Sequence, residues 1–336
     1  VLWITNMVFP DVADKLGIKT SSSGGWLLDL AKSISKSADV ELCVMTYSAC
    51  CEFYDIHLDE IRHLIFPGGG KRLLYDNPKT IDDCKKAVEL FKPDLIHIHG
   101  TEYAPGYAML KAYPQIPTVL TIQGIIKRIS EEYYGGLKIH ELLKISFKYG
   151  IKSPIAYKWL YSRNAKREEN ILKKVKYVTG RTDWDKATMM SINPNLKYYR
   201  CNYNLRDEFY SVQKWSIEKI QRHTIITSAS LYPLKGLHIL IKALRIVKQE
   251  YRNVMLYVPG GHAIDGKFTN PKGYMKYIDD LIEKYDLRSN IYFTGAIPAQ
   301  QVAERLRTAN VCVVTSAIEG ASATLCEAMM IGTPPI

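Results

Sequence analysis

Two carboxylates, Glu319 and Glu327, flank a run of small residues at the point where an apolar strand gives way to a helix. Ser322 is placed to cap this helix, because a serine side chain can accept a hydrogen bond from the first turn. The backbone N–H groups of Ala323 and Thr324 would then be available to a phosphate. Carboxylates are good acceptors for sugar hydroxyls, so this segment predicts a ligand that carries both phosphate and sugar groups.

Glu327 could instead be an ordinary carboxylate on the surface of a helix. It lies, however, in the otherwise apolar stretch 324–331. A lone carboxylate in apolar surroundings is costly unless it is paired, so we expect Glu327 to have a partner.

Gly24 and Gly25 follow the first strand region and open an amphipathic helix. Glycines there allow the backbone to approach a ligand, and the helix start offers free N–H groups; a plain flexible turn is the alternative. The pair is not part of a G-x-G-x-x-G motif, which argues against a nicotinamide enzyme. The run 68–71 is not a Walker phosphate loop, because Ile65 and Arg72 replace the required glycine and serine or threonine.

His97 and His99 end a predicted strand, where the period of two places both rings on one face. A metal would need a third ligand, and none is near in sequence, so a histidine at this edge more often lines a cleft. The seven cysteines are odd in number and lack C-x-x-C spacing. This fits the reducing cytoplasm and disfavours structural zinc.

The chain alternates short apolar runs with helical patterns, which is typical of βαβ units and parallel sheets. Strands are predicted at 1–6, 40–46, 94–99, 117–122, 176–180, 196–200, 223–229, 253–258, 290–294 and 310–315. The pattern breaks over the polar stretch 203–221. We therefore predict a first domain over 1–205, a linker over 206–222 and a second domain over 223–336. Because residues 332–336 read as a helix stop and a new strand, we expect the natural chain to continue.

Several of these segments together closely resemble the family 4 retaining glycosyltransferases of the GT-B fold. The two glutamates with seven residues between them, followed by Ala-Met and Gly-Thr-Pro, resemble the signature of that family. The other similar blocks are Gly24-Gly25, 94–100, 117–124, 231–243, 256–261, 291–295 and 309–316. The resemblance implies two Rossmann-like, doubly wound parallel-sheet domains that face a cleft.

The family's activity is transfer of a sugar, typically a hexose, from a nucleotide diphosphate sugar with retention at the anomeric carbon, usually without a metal or other cofactor. By resemblance, the diphosphate of the donor would be held by Lys235, Gly24, Gly25 and the amides of 322–324. We expect the donor to be a UDP- or GDP-linked sugar. Glu319 would contact the donor sugar and Glu327 the ribose. The loop Gly295-Ala296-Ile297 would lie against the base, and His99 would lie on the acceptor side.

Two residues depart from the family pattern. Ser230 stands where an arginine usually binds the diphosphate, and Gln123 stands where a histidine often lies near the reacting sugar. Gln123 can still bind a sugar hydroxyl, but it cannot titrate. A nucleotide-sugar epimerase, a glycan phosphorylase or a non-catalytic sugar-nucleotide sensor are the alternatives.

The net charge of +11 is concentrated in one stretch. Residues 127–176 contain 13 Lys and Arg against 5 Asp and Glu, interleaved with aromatic residues. This composition suits an anionic membrane surface, and a solvated helix face with core aromatics is the alternative. The sequence contains no recognised nucleic-acid-binding motif, so we do not expect a nucleic-acid partner. We expect a cytoplasmic enzyme that is peripheral at the inner face of the membrane. By resemblance, it would build surface polysaccharide or another glycoconjugate on a glycan or lipid-linked acceptor.

Overall fold

Apolar runs of the sequence form the strands of two separate parallel sheets in a computed structural model of the chain. The structure describes residues 1–18, 25–49, 52–69, 71–149, 153–202, 204–227, 232–261, 263, 264, 266–268 and 271–336. The strands are β1 (Leu2–Ile4), β2 (Leu42–Ser48), β3 (Tyr54–Leu58), β4 (Ile61–Pro67), β5 (Ile96–His99), β6 (Thr118–Thr121), β7 (Tyr177–Gly180), β8 (Lys197–Arg200), β9 (Thr224–Thr227), β10 (Met255–Pro259), β11 (Ala263–Ile264), β12 (Lys267–Phe268), β13 (Ile291–Gly295) and β14 (Val311–Val313).

Helices connect these strands. They are α1 (Pro10–Leu16), α2 (Gly25–Ser35), α3 (Lys71–Leu74), α4 (Pro78–Phe91), α5 (Ala104–Ala112), α6 (Ile126–Glu131), α7 (Ile139–Tyr149), α8 (Pro154–Leu172), α9 (Asp183–Ile192), α10 (Asp207–Ser211), α11 (Leu237–Glu250), α12 (Tyr274–Lys284), α13 (Ala299–Thr308) and α14 (Ala323–Ile331). None of the helices that the structure describes is long and apolar enough to cross a bilayer.

The first sheet has the order β3-β4-β2-β1-β5-β6-β7-β8 among the described strands, and only β3 runs antiparallel to its neighbour. Side chains alternate between two cores: Leu2 and Ile4 belong to one cluster, and Trp3 to the other. Apolar side chains on both sides of the sheet explain why β2 is buried along its whole length. This is the pattern of a parallel sheet covered on both faces.

The second sheet has the order β13-β10-β9-β14, and its strands are parallel. Pro335 bridges Cys312 of β14 in parallel, and the amide of Ile336 donates to the carbonyl of Cys312 at 2.8 Å. The residues after α14 thus begin to pair with the sheet, as the sequence predicted.

The chain divides into two compact units, and the division differs from the predicted domains. One unit contains Val1–Lys127 and Ser162–Asn204, and the other contains Arg128–Tyr161 and Leu205–Ile336. Residues 128–161 belong to the second unit because Leu142 and Ile145 of α7 pack in one core with Leu240 and Ile241 of α11.

The residues predicted as a linker, 206–222, are packed in the second unit. Phe209 and Val212 are buried in its core. The indole Nε1 of Trp215 donates a hydrogen bond to the carbonyl of Ala309 at 2.7 Å. The stretch is polar in composition, but Phe209, Val212 and Trp215 pack into the core, whereas Ile217 is exposed.

Candidate functional site

The second unit has a topological switch point between β9 and β14. From β9 the chain adds β10 and β13 on one side, and then returns to place β14 on the other side of β9. Ligands of open α/β sheets bind outside the carboxyl ends of the strands at such a point. The segment after β9 reaches Lys235, and the segment after β14 carries Glu319, so the switch point brings together two residues that the sequence predicted to act together.

Lys235 is held by a tight turn against the segment that follows β14. It ends a 3₁₀ turn over Pro233–Lys235, and Gly236 follows with φ of 72°. The Thr315 hydroxyl donates to the carbonyl of Lys235 at 3.0 Å. The Gly236 position leaves no room for a side chain, because a Cβ atom there would lie 2.0 Å from the carbonyl oxygen of Thr315.

The Nζ atom of Lys235 forms an ion pair with Oε1 of Glu319. Both side chains are about a quarter exposed, at 23% and 26%. The pair therefore remains accessible to a ligand from solvent. A ligand that presents an anionic group to Lys235 and a hydroxyl to Glu319 would satisfy both partners.

Helix α14 begins beside this pair, as predicted from Ser322. The Ser322 hydroxyl accepts a hydrogen bond from the amide of Leu325 at 3.3 Å. The first amides of a helix, here those of Ala323 and Thr324, have no partner within the helix. The helix start and the Lys235 ammonium thus offer positive electrostatic potential to an anion.

Glu327 lies one turn further along α14 and has a partner that the sequence did not reveal. Its Oε1 atom accepts from Nη2 of Arg206 at 3.1 Å, and its side chain is only 13% exposed. Burial raises the pKa of Glu327, and Arg206 partly opposes that rise. The apolar residues around Glu327 in the sequence predicted that it has a partner. They did not identify Arg206, because 120 residues separate the two in the chain.

The predicted base loop lies at the opposite end of the sheet. Gly295 ends β13 with φ of 69°, and its carbonyl accepts from the amide of Gly260 at 2.7 Å. Ala296 is exposed and Ile297 is half-buried. Two strands separate β13 from β14, which corresponds to roughly 15 Å along the sheet edge. A ligand that reaches both this loop and Glu319 must be extended.

Residues of the segment 128–161 pack closely against the turn that holds Lys235. A Cβ atom on Gly135 would lie 2.1 Å from the carbonyl oxygen of Pro233. The rings of Tyr133 and Tyr232 stack with centroids 6.4 Å apart. This close backbone approach was not predicted, because nothing in the sequence links 133–135 to 232–235.

The remaining predicted residues, apart from Ser230, belong to the first unit. Gly24 lies outside the described residues, as does Ser230 in the second unit, and Gly25 is the first residue of α2. Gln123 follows β6, and its carbonyl accepts from Nη2 of Arg181 at 2.9 Å. The His99 ring is buried at the end of β5, 4.3 Å from the Trp3 ring and 4.0 Å from the His97 ring between centroids. Burial lowers the pKa of both histidines, that of His97 to about 4.

Comparison with known proteins agrees with this geometry. Residues 213–336, which cover most of the second unit, match the family described as glycosyl transferases group 1. This segment is similar to the domain that defines that family. The protein YtcC of Bacillus subtilis (strain 168), named as a glycosyltransferase, is 32% identical over 125 residues. That match covers 37% of this chain and only 29% of YtcC.

Solved glycosyltransferase structures share the fold of the whole chain. Sucrose-phosphate synthase from Thermosynechococcus elongatus has a TM-score of 0.69 at 15% identity, over 99% of this chain and 79% of its own. WaaG, described as a glycosyltransferase of lipopolysaccharide biosynthesis, has a TM-score of 0.61 at 16% identity, over 99% of this chain and 80% of its own. At this identity the likeness concerns the fold, which is the two-domain GT-B fold that the sequence predicted.

The segment that matches the family contains the Lys235–Glu319 pair, the start of α14 and Glu327. The sequence singled out Lys235, Glu319, Glu327 and the helix start, because they lie in short local motifs, but it did not predict the ion pair. The sequence did not predict that Arg206 and Tyr133 contribute to the site. Both lie outside the motifs and come close to the site residues only in the folded chain. The described residues contain no group of three His, Cys, Asp or Glu side chains placed to hold a metal ion.

Proposed function

We propose that the chain is a retaining glycosyltransferase that transfers a sugar from a nucleoside diphosphate sugar, UDP- or GDP-linked, to a glycan or lipid-linked acceptor. The observation that carries the proposal is the contact of Lys235 with Glu319 beside the start of α14. One group binds anions, the other binds hydroxyls, and both lie at the switch point of a group 1 glycosyltransferase domain. A nucleotide sugar joins these two chemistries in one ligand.

In the proposed reaction, Lys235 and the amides of 322–324 stabilise the charge that develops on the departing diphosphate. Fixed donors of this kind contribute most when they are oriented before the reaction. Glu319 orients the donor sugar, and Glu327, itself oriented by Arg206, binds the ribose. The loop Gly295-Ala296-Ile297 binds the base. We expect this charge stabilisation to operate without a metal ion, which turnover in excess EDTA would test.

We propose separate roles for four residues of the first unit. Gly24 and Gly25 precede or begin α2 and would approach the diphosphate with their backbone. Gln123 would bind a hydroxyl near the reacting carbon, and His99, neutral in its buried position, would lie on the acceptor side.

The donor proposal can be tested with a panel of UDP- and GDP-sugars. A ligand that binds only the folded state raises its melting temperature, so at least one nucleotide sugar should do so. Lys235→Ala should weaken that binding by about 1–3 kcal/mol, whereas the exposed Lys219→Ala should not. Product analysis by NMR should show retention of the anomeric configuration. Unchanged affinity in Lys235→Ala would place the site elsewhere, and binding without turnover would favour the sensor.

We also propose that the second unit binds an anionic membrane surface through helix α7. Ile139, Leu143 and Phe147 recur every four residues and therefore line one side of α7. Their exposed fractions are 76%, 57% and 97%. Leu142 and Ile145, on the other side, are buried in the core, so α7 is anchored by one side and presents an apolar ridge on the other.

The charges around this ridge favour an anionic lipid surface over other occupants. Residues 133–161 contain five lysines and a single acidic residue, Glu141. The Glu141 carboxylate points inward, where it accepts hydrogen bonds from Tyr277 and from Lys242 at 3.0 Å. By contrast, other basic residues of 127–176 are used internally: Arg167 is buried and donates to the carbonyls of two other residues. The basic stretch is thus not one surface, and only its middle part suits a membrane.

Vesicles of phosphatidylcholine with and without phosphatidylglycerol test this surface. We expect binding only to the anionic vesicles, with each lysine near the surface contributing about 1 kcal/mol, and a sharp decrease as salt shortens the Debye length below about 8 Å. Leu143→Ser with Phe147→Ser should abolish binding, whereas Ile246→Ser, on the exposed side of α11, should not. Equal binding to neutral vesicles, or self-association abolished by the same double substitution, would contradict the proposal.

A further inference from the structure

The first unit has a switch point of its own, between β1 and β5. The chain places β2 and β4 on one side of β1 and then returns to place β5 on the other. A small pocket at the carboxyl ends of these two strands is lined by Thr5, Asn6, His99, Gly100 and Tyr103. By the same rule that applies to the second sheet, a ligand of this unit is expected there.

Glu102 does not line this pocket, but its carboxylate lies over Gly100, which does. A Cβ atom on Gly100 would lie 2.1 Å from Oε2 of Glu102 and 3.5 Å from Cδ of Gln123. The Glu102 carboxylate and the Gln123 amide therefore converge over the bare α-carbon of Gly100, where φ is 92°. One polar group follows β5 and the other follows the neighbouring strand β6.

The backbone of Glu102 is fixed from helix α8. Its carbonyl accepts from Nη2 of Arg167 at 2.6 Å. The preceding residue, Thr101, donates its hydroxyl to Oε2 of Glu168 at 2.5 Å. Arg167 and Glu168 are both buried. The main chain at 101–102 is therefore held in place by two buried side chains of α8.

The carboxylate itself is left incompletely bonded. Oε2 of Glu102 is shielded from solvent and has no hydrogen-bond partner among the residues that the structure describes, although the residue as a whole is partly accessible. A buried acceptor without a donor costs about 1–3 kcal/mol or more if charged. A ligand hydroxyl would remove that cost.

We propose that Glu102 binds a hydroxyl group of the acceptor, which is therefore a sugar or another polyol at the reacting end. This inference rests on the proposed glycosyl transfer and adds a residue to it. Glu102 and Gln123 together offer a strong acceptor and an amide that both donates and accepts, a set that matches neighbouring hydroxyls of a pyranose.

The protonation of Glu102 gives this proposal a distinctive signature. Burial raises the pKa of Glu102 to about 7; its own amide, the Thr101 amide and Arg167 oppose the rise, and Glu168 adds to it. The other titratable groups at this point are Tyr103 and the neutral His99. Since a hydroxyl donor favours the charged form, binding near pH 7 should release a proton from Glu102.

The experiment uses the full chain and, as probes, the methyl α-glycosides of glucose, galactose and mannose. Calorimetry near pH 7 in two buffers of different ionisation enthalpy measures affinity and released protons. We expect at least one glycoside to bind the native chain, more tightly at pH 8.5 than at pH 6, with proton release. Glu102→Gln should lower its affinity at least fivefold and abolish both the proton release and the pH dependence, while the exposed Glu89→Gln should behave as the native chain.

Glu102→Asp provides a second variant in case the glutamine variant folds poorly. It keeps the charge but withdraws the carboxylate, so proton release should persist while affinity decreases. Glycoside binding with native affinity and proton release in Glu102→Gln, or no binding of any probe to the native chain, would overturn the proposal. The nucleotide-sugar panel is measured in parallel, so failure of donor binding, which depends on Lys235, remains distinguishable from failure at Glu102.

Discussion

At the scale of single residues, Lys235 and Glu319 bind each other, and each is also proposed to bind part of the ligand. The ion pair therefore competes with the ligand for both side chains. Glu319 neutralises the ammonium that a diphosphate would need. Removal of its charge should therefore have opposite effects on binding of the diphosphate and on transfer of the sugar.

We predict that Glu319→Gln abolishes sugar transfer and leaves the melting temperature nearly unchanged. Its affinity for UDP or GDP without a sugar should increase by about 1 kcal/mol, because Lys235 no longer has an anionic neighbour. Calorimetry with the nucleotides and a turnover assay check both parts, with the exposed Glu250→Gln as control. Turnover like that of the native chain would contradict the role of Glu319.

Arg206 should stabilise the second unit in a manner that depends on pH. Because burial holds the pKa of Glu327 above its usual value, folding favours its neutral form. The associated stability is present at low pH and is lost as pH rises through the pKa of the folded state. Arg206→Gln removes the opposing charge, raises the pKa of Glu327 further and so shifts the loss of stability to higher pH.

We therefore expect Arg206→Gln to lower the free energy of unfolding by about 1 kcal/mol at pH 8, a modest value because Arg206 is partly exposed, and by less at pH 5. Denaturant unfolding at the two pH values measures this, and the exposed Arg252→Gln is the matched control. An equal loss at both pH values would show that Arg206 acts through packing on Phe209 instead of through Glu327.

At the scale of elements, the turn that ends at Gly236 fixes Lys235 by excluding every side chain from one position. We predict that Gly236→Ala destabilises the second unit by on the order of 2–3 kcal/mol, since the new Cβ atom combines backbone strain with a clash against Thr315. Nucleotide affinity should decrease as well, because the turn must shift.

Gly332→Ala is the appropriate control. Gly332 also has a positive φ, of 96°, but a Cβ atom there would meet nothing closer than 3.7 Å. It should cost only the strain, about 1 kcal/mol. Equal destabilisation by the two substitutions would show that the contact with Thr315 does not hold the turn.

The elements also show what could be predicted from the sequence. All ten predicted strands are present, because most of them are apolar runs; β8, which has the sequence KYYR and is largely exposed, is the exception. The hairpin of β3 and β4 was missed, since β3 alternates in burial at the sheet edge and its turn uses Asp59 and Glu60 at positive φ instead of the asparagine or glycine that announces such turns. Local motifs indicated most residues of the candidate site, and their roles stay predictions, whereas contacts between distant segments could not be predicted.

At the scale of the whole molecule, the second unit is assembled from two separate parts of the chain. Leu137, Leu142 and Ile145 contribute to its core from residues 128–161. Fully burying each such side chain is worth about 1.5–3 kcal/mol, and their sum approaches the stability of a typical domain.

We predict that residues 205–336 alone do not fold cooperatively, although they contain the whole family match. Joining 128–161 to this fragment through a flexible linker should restore a cooperative melting transition, and the same fusion with Leu142→Asp and Ile145→Asp should not. A sharp, reversible transition in the isolated fragment would show that 128–161 is an accessory and not part of the core.

The divided second unit also has a consequence for synthesis on the ribosome. Residues 128–161 emerge before their partners in 205–336 exist, while the first unit can close only after residues 162–204 have followed them. For the time needed to translate more than a hundred further residues, the apolar side chains of α7 on both its faces have no core to enter. The order of translation thus leaves the apolar side chains of this helix exposed until the rest of the second unit has been made, and slower codons after residue 205 would prolong that exposure.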